Sequence, residues 1–324
     1  RNSGFKICPI DVNVFPGGWN NICPNYCKEA TKKFAEYFEK NHKHVKKILI
    51  FPEGHTKNKY YFDNLRVLQE MLISSGFEVL ISHTNEEFET EQSLETAENK
   101  DIKLHRLIKL DNKVQTKCAF IPDIILLNND LSSGVPDILH RIDQPILPNP
   151  QMGWFRRSKI ENLQIYSKLM EEFCNIVDLD PWYFTPITIE IENVDFQSKD
   201  GFEKIVQGME SVFSEINKKH KEHDIPSKPL IFIKNSAGTY GMGVKSFESV
   251  EDFININRKD RNKLSIGKGN QKIEKVIIQE GVPSIERFNG QVCEPVIYNV
   301  GAYPIGGFLR INDQKSDREN LNSK

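Results

Sequence analysis

The chain lacks any apolar run near the ~18–20 residues that a helix needs to span a bilayer. Runs such as Ile48–Phe51 and Ile124–Leu127 are strand-sized. An excess of one charge is also missing. Lys plus Arg total 43 against 45 Asp plus Glu, a net −2, which excludes a strongly basic nucleic-acid binder and a polyacidic tail. Cysteine is sparse, at positions 8, 23, 27, 118, 174 and 293 only. Disulfide scaffolds are short and dense in cysteine, and zinc sites use tighter paired spacings. Cys23 and Cys27 meet at i, i+4 on a helix, but nothing nearby completes a ligand set. Free thiols in a reducing cytoplasm are the expectation. No basic segment followed by an apolar one marks a secretory signal. The chain opens on Arg1 rather than Met, which reads as a fragment. Neither a membrane nor a nucleic acid is an expected partner.

What is present is an ordinary globular balance, 38% hydrophobic and 27% charged over 324 residues. At roughly 150 residues per domain this length suggests two domains. Lys46–Phe51 reads as a buried strand ending at Pro52-Glu53-Gly54-His55, and Leu65, Leu68 and Leu72 then fall at helical spacing. Gly76 closes that helix and Glu78–Ser82 is the next strand, a β-α-β pattern that argues for parallel strands. Residues 84–103 are polar and aperiodic and read as a solvated helix-and-loop insertion. Asp123–Leu127 is a strand running into Asn128-Asn129-Asp130, where open α/β sheets place ligands. Pro145, Pro148 and Pro150 exclude a helix. Two amphipathic helices follow, one through Leu163 and Phe173, the other through Phe202, Met209 and Ile216. His220 and His223 lie in a Lys/Glu-rich stretch and read as a solvated face, and residues 258–275 as a surface loop. The strand-like segments 230–234, 276–280, 293–300 and 307–311 give the last third an antiparallel α+β character.

The most informative motif follows the strand Leu230–Ile233. It is Lys234-Asn235-Ser236-Ala237-Gly238-Thr239-Tyr240-Gly241-Met242-Gly243. Glycines let backbone N–H groups converge on phosphate oxygens. A P-loop needs its lysine after the glycines, whereas here it precedes them. A dinucleotide fingerprint needs a helix next, whereas Val244–Phe247 reads as a strand before Ser249 opens a helix. Strand, glycine loop, strand remains, and on its own that pattern fits a plain hairpin turn equally well.

The arrangement resembles the ATP-grasp superfamily, in which such a lysine binds nucleotide phosphates beneath the loop. A more specific resemblance spans nearly the whole chain. It rests on Asp11–Asn21, Pro52–Asn58, Asn128–Ser132, Gly153–Lys159, and Gly307–Arg310 with Glu319–Asn322. These blocks resemble the proteobacterial, ATP-grasp-like glutamate–cysteine ligases. The resemblance implies an α/β plus α+β fold. An N-terminal open α/β (pre-ATP-grasp-like) substrate domain over 1–150 would precede a helical linker and ATP-grasp nucleotide domain over 151–324. Family members are longer at both ends. It also implies a cytoplasmic enzyme joining L-glutamate to L-cysteine with ATP and Mg²⁺. A glutathione synthetase, or a nucleotide-binding module without catalysis, shares the same phosphate machinery.

On that resemblance Lys234 would meet the phosphates and Gly238, Thr239, Tyr240, Gly241, Met242 and Gly243 would cover them, while Gln279 and Glu280 would face base and ribose. Arg310 and Arg318 would neutralise the transferring phosphoryl group, and Glu319, Asn320 and Asn322 would hold Mg²⁺. Asn13, Asn20, Asn21, His55 and Asn129 would serve the amino acids, with Arg156 or Arg157 on the glutamate α-carboxylate. Each has a plainer alternative. Arg310 fits an ion pair, Glu319-Asn320-Asn322 and Asn20-Asn21 fit turns, and His55 fits a cap.

Overall fold

The structure, a computed structural model, describes residues 1–15, 17–54, 58–83, 88–196, 198–236, 244–265 and 274–322. They fall into two compact units. The N-terminal unit is Asn13–Arg156 with Val296–Phe308, and the C-terminal unit is Arg1–Val12, Arg157–Pro295 and Leu309–Lys324. Relative to a cut after residue 150, residues 1–12, 151–156 and 296–308 change sides.

The N-terminal unit holds α1 (Cys27–Asn41), β1 (Lys47–Pro52), α2 (Lys59–Ser74), β2 (Glu78–His83), β3 (Glu91–Glu95), β4 (Asp101–Leu110), β5 (Lys113–Thr116), β6 (Ile124–Asn128) and β7 (Ile146–Leu147). Asn58 caps α2 by accepting from Tyr61 N, and Gly76 ends it at φ +99°. The buried face of α2 carries Leu65, Leu68 and Leu72. The sheet runs β3-β4-β2-β1-β6-β7, with β2, β1, β6 and β7 parallel. Alternation sends Ile48 and Ile50 into one core with the two helices, and Leu49 and Phe51 into a second core with Phe120, Leu127 and Leu139. Burial on both faces explains why β1 and β6 read as unbroken apolar runs. The crossover to β2 leaves β1 on one side and β6 lies on the other, so the strand order reverses at the C-terminal ends of β1 and β6.

In the C-terminal unit come α3 (Lys159–Val177), β8 (Thr188–Glu192), α4 (Lys199–Glu222), β9 (Ile231–Asn235), β10 (Lys245–Phe247), α5 (Val250–Ile254), α6 (Arg258–Ser265), β11 (Lys275–Glu280), β12 (Arg287–Phe288), β13 (Gln291–Val300) and β14 (Tyr303–Ile311). Residues 296–308 of the last two strands belong to the other unit. An antiparallel sheet of order β10-β9-β11-β8 lays Ile231, Ile233, Val276 and Ile278 against Ile205, Met209 and Ile216 of α4. Its opposite face presents Phe232, Lys234, Ile277 and Gln279, by the period of two.

Three expectations need correction. Residues 91–95 and 101–103 are strands rather than a helix-and-loop insertion. The two pair antiparallel, with contacts such as Lys103–Glu91, and the exposure of the edge strand β3 leaves it no alternation to read. Residues 258–265 form a short helix rather than loop. His220 is buried and bonded to Ser227 O, while His223 is held between Tyr183 Oη and Asp180.

Where α4 crosses its sheet, Gly208 leaves no room for a side chain. An added Cβ would lie 2.8 Å from Ile278 Cδ1 and 2.9 Å from Ile191 Cδ1. Gly208→Val therefore overpacks this contact and costs about 1–3 kcal/mol, measured as a lower chemical-denaturation midpoint with an unchanged circular dichroism spectrum.

Candidate functional site

A lysine in the middle of an antiparallel strand normally points to water. Lys234 instead is buried at 6% exposure, because residues 10–12 and the start of α3 cover that face of the sheet. Its Nζ donates to Gln279 Oε1 at 2.5 Å and to Ile10 O at 3.2 Å. Burial pulls its pKa from the ordinary 10.5 down to about 8, with the Asp11 carboxylate opposing that drop. Arg157 and Lys159 line the same pocket with Asp11, Asn162 and Ile277. Lys159 Nζ donates to Asp11 Oδ2 at 2.9 Å, and Arg157 Nη2 donates to Asn162 Oδ1 at 3.2 Å. Ser158 caps α3, its hydroxyl meets Ser236 Oγ at 3.2 Å, and Lys159 N donates to Ser236 O. The start of α3 is thereby tied to the residue just ahead of the glycine loop. Three cationic side chains around one pocket make an anion site with several points of attachment.

Gln279 joins Lys234 on this face, and its amide orients the ammonium. Glu280, one residue on, points to the other face and is consumed there. Its carboxylate accepts from Lys6 Nζ at 2.6 Å, Trp182 Nε1 at 3.1 Å and Ile187 N at 2.9 Å. Lys6 also sits over the Trp182 ring, 4.3 Å from its centroid. A ribose contact for Glu280 gives way to a buried structural ion pair, because strand alternation separates neighbouring side chains.

Arg310 donates to Glu294 Oε1 at 2.8 Å, and the other carboxylate oxygen accepts from Arg1 Nε at 2.7 Å. Burial works against the Glu294 charge, but the two guanidinium groups outweigh it and hold the carboxyl below its ordinary range. Arg1 further donates to Glu319 O at 2.7 Å and to Val282 O at 3.4 Å, fastening the exit of β11 to the terminal turn. Arg318, expected at a phosphoryl group, is pinned by Glu248 and the carbonyls of Lys228 and Pro229. It clamps the last residues onto the approach to β9. Two of the expected magnesium ligands are bonded within their own turn. Glu319 Oε2 accepts from Ser316 N and Oγ, bonds that lower its pKa, and Asn320 Oδ1 accepts from Asn322 N. Among the described residues, Asp180, Glu222 and His223 do bring ligand atoms together. The Lys219 ammonium occupies that cluster, 2.7 Å from Asp180 and 3.1 Å from Glu222. Gly238, Thr239, Tyr240, Gly241, Met242, Gly243 and His55 lie outside the described residues.

In the N-terminal unit a cleft of about 150 Å³ opens beyond β1 and β6, lined by Pro52, Glu53, Gly54, Ser82, His83 and Asn129 among others. This is the strand-order reversal where open α/β sheets take ligands. Asn129 Nδ2 donates to Pro52 O and its Oδ1 accepts from Leu131 N, so the side chain shapes the cleft wall. Tyr61 Oη bridges Glu53 N and Asn128 O. Asn20 and Asn21 form a 3-10 turn after Gly18 at φ +81°, and Trp19 N donates to Asn64 Oδ1. Asn13 folds onto Phe15 in an Asx turn. Arg156 is exposed and bonded to Gln151 Oε1. Arg156 and Arg157, adjacent in sequence, therefore belong to different units and different surroundings. Sequence reasoning missed Asp11 and Lys159 as pocket residues, although both lie inside quoted blocks, and missed Ser82 and His83. Only the β2 strand end signalled the latter pair.

A family model described as glutamate-cysteine ligase matches residues 1–324. Among solved structures, one from Methylobacillus flagellatus KT, named provisionally a gamma-glutamylcysteine synthetase, aligns at TM-score 0.90 and 35% identity. That alignment covers 99% of this chain and 76% of the other. The D-alanyl-alanine synthetase A from Vibrio cholerae aligns at TM-score 0.41 and 14% identity, over 80% of this chain and 69% of the other. No curated protein matches the chain.

The pocket has a pH signature. Lys234 titrates near pH 8 folded and at 10.5 unfolded, so the unfolded chain binds more protons between those values. The stability cost of the buried charge is present in full below pH 8 and is relieved as pH rises toward 10.5. At pH 8 a polyanion that requires the ammonium draws in about half a proton on binding. Calorimetric titration in two buffers of different ionisation heat measures this uptake, and zero uptake excludes Lys234 as the anion's partner. For the opposite face, Lys6→Met strands the Glu280 carboxylate and costs about 3–5 kcal/mol in chemical denaturation. Adding Glu280→Gln to Lys6→Met recovers most of the loss if the pair is structural.

Proposed function

The chain belongs to the glutamate–cysteine ligase family, and on that premise we infer that its C-terminal unit binds ATP in the manner of an ATP-grasp ligase. The protein joins glutamate to cysteine at the expense of ATP, giving γ-glutamylcysteine. A carboxylate is a poor acyl donor, so the glutamate γ-carboxylate is first phosphorylated and the cysteine amine then displaces phosphate through a tetrahedral intermediate. Such chemistry asks the protein for positioning and charge stabilisation rather than for a covalent nucleophile.

One observation carries the nucleotide site. A buried lysine whose acceptors among the described residues are neutral oxygens, Lys234, shares a pocket with Arg157 and Lys159. That donor set suits a triphosphate, because Lys234 and Arg157 gain more from a charged phosphate oxygen than from the neutral oxygens they now meet. Lys234, Lys159 and Arg157 hold the phosphates, Gln279 orients Lys234, and the Gly238–Gly243 segment covers them. Arg310, held by Glu294, supplies positive charge to the transferring phosphoryl group. Arg157 thus serves phosphate rather than the glutamate α-carboxylate. Glu280 and Arg318 build the frame.

Magnesium accompanies ATP in this class of reaction. Glu319 Oε2 and Asn320 Oδ1 are taken up by backbone and hydroxyl groups of their own turn, so as they stand these two oxygens do not fit as its ligands. No step here runs through the ion. We assign the cleft beyond β1 and β6, with Asn129, to amino-acid binding, and keep His55, Asn13, Asn20 and Asn21 of the same stretch of sequence as candidates for that role. An amino acid is small enough for such a cleft, and its switch-point position supports the reading.

ADP release from Mg·ATP, measured with glutamate, with glutamate plus cysteine, and with γ-glutamylcysteine plus glycine, is expected only where glutamate and cysteine are both present. Lys234→Ala lowers that rate about 100-fold or more, as expected when a preorganised charge contact is removed. Wild-type turnover in this variant would overturn the nucleotide-site assignment.

A further inference from the structure

The pocket around Lys234 already contains an anion. Asp11 Oδ2 lies 2.9 Å from Lys159 Nζ, and Asp11 is the largest electrostatic support that Lys234 and Arg157 have against burial. One residue earlier, Ile10 O accepts from Lys234 Nζ at 3.2 Å. Two oxygens from consecutive residues of one segment therefore cover two of the cations. The cavity left among these groups is about 10 Å³, room for roughly one water. A phosphoryl group does not enter while Ile10–Val12 lies there.

The cations need such a partner. Arg157, Lys159 and Lys234 crowd one pocket, and like charges in a partly desolvated site repel strongly. A single carboxylate offsets this only in part, so the pocket keeps an excess of positive charge. Asp11 is also poorly buried, with 52% of its side chain exposed, and Val12 is 42% exposed. Withdrawing the segment sacrifices little packing.

On the reading that this pocket binds triphosphate, we propose that Ile10 and Asp11 are a resident phosphate mimic whose oxygens exchange with those of the incoming nucleotide. The Ile10 carbonyl stands on Lys234 and the Asp11 carboxylate on Lys159 in the nucleotide-free enzyme. Binding is then an anion exchange within the pocket. Asp11 keeps the cations assembled without nucleotide and competes with phosphate when nucleotide arrives. It is a positioning residue that sets nucleotide affinity, and it takes no part in the chemistry.

The test is isothermal titration of the full chain with inorganic triphosphate and with ATP, at fixed ionic strength and with chelator present. Asp11→Asn removes the competing charge and is expected to bind both probes about tenfold more tightly. The same variant melts at a lower temperature than wild type without ligand, and triphosphate raises its melting point by more than it raises that of wild type. Asp11→Glu returns affinity toward wild type. An unchanged affinity in Asp11→Asn would place the carboxylate outside the anion's path and overturn the exchange. Weaker binding would mean that Asp11 helps to hold the nucleotide, which also overturns it. Failure of wild type to bind either probe would remove the phosphate reading and the exchange with it. Wild-type binding with an unresponsive Asp11→Asn would remove the exchange alone.

Discussion

Burying an ammonium costs several kcal/mol unless oxygens surround it, and Lys234 meets that constraint with one amide oxygen and one carbonyl. Much of the C-terminal unit follows from holding those two acceptors in place. Gln279 must stand across from β9 on the same face, which fixes the register of β11 against β9. Ile10 must return to the sheet from the start of the chain, so residues 1–12 belong with residues 157–295 rather than with the sequence that follows them. The same segment delivers Lys6 to Glu280 and Asp11 to Lys159.

The end of β11 shows how one strand serves two purposes. Gln279 turns toward the cationic pocket, while Glu280 turns into a pocket closed by Lys6, Trp182 and the Ile187 amide. An ion pair this deeply buried is weak evidence of net stability, since desolvation consumes most of its Coulombic gain. Its effect is to fix position. A one-residue slip of β11 in one direction would put Gln279 where Lys6 needs a carboxylate, and a slip in the other would put Glu280 where Lys234 now finds an amide. The charge pattern on this strand therefore forbids the wrong register.

Patterns with strong local physics were legible in the sequence. The apolar runs of β1 and β6, the leucine spacing of α2 and the stripe of α4 all follow from burial on fixed periods. The strand before the glycine loop and the strand after it were legible as well, and with the lysine ahead of the glycines they set aside a P-loop and a dinucleotide fingerprint. The edge strand β3 escaped notice, since an exposed, charged strand carries no alternation to read, whereas the alternation at the start of β4, with Ile102 and Leu104 buried, was there to be read. The partners of Glu280 and Arg318 were hidden for another reason. A motif gives residue types in order, but the partner that captures a charged side chain is remote in sequence. Lys6 lies 274 positions from Glu280, and Glu248 lies 70 from Arg318.

That remoteness also explains why composition gave no hint of an anion site. The whole chain is nearly neutral, at −2, yet Arg157, Lys159 and Lys234 come from two segments about a pocket's width apart and share one carboxylate. Local excess charge is a property of the folded arrangement, set by which acids are taken up elsewhere. Glu280 answers Lys6, Glu294 answers Arg1 and Arg310, and Glu248 answers Arg318. Each of these acids is committed to a structural cation, which leaves Asp11 as the acidic residue lining the pocket. The pocket stays positive because the neighbouring carboxylates are already spent on building the frame.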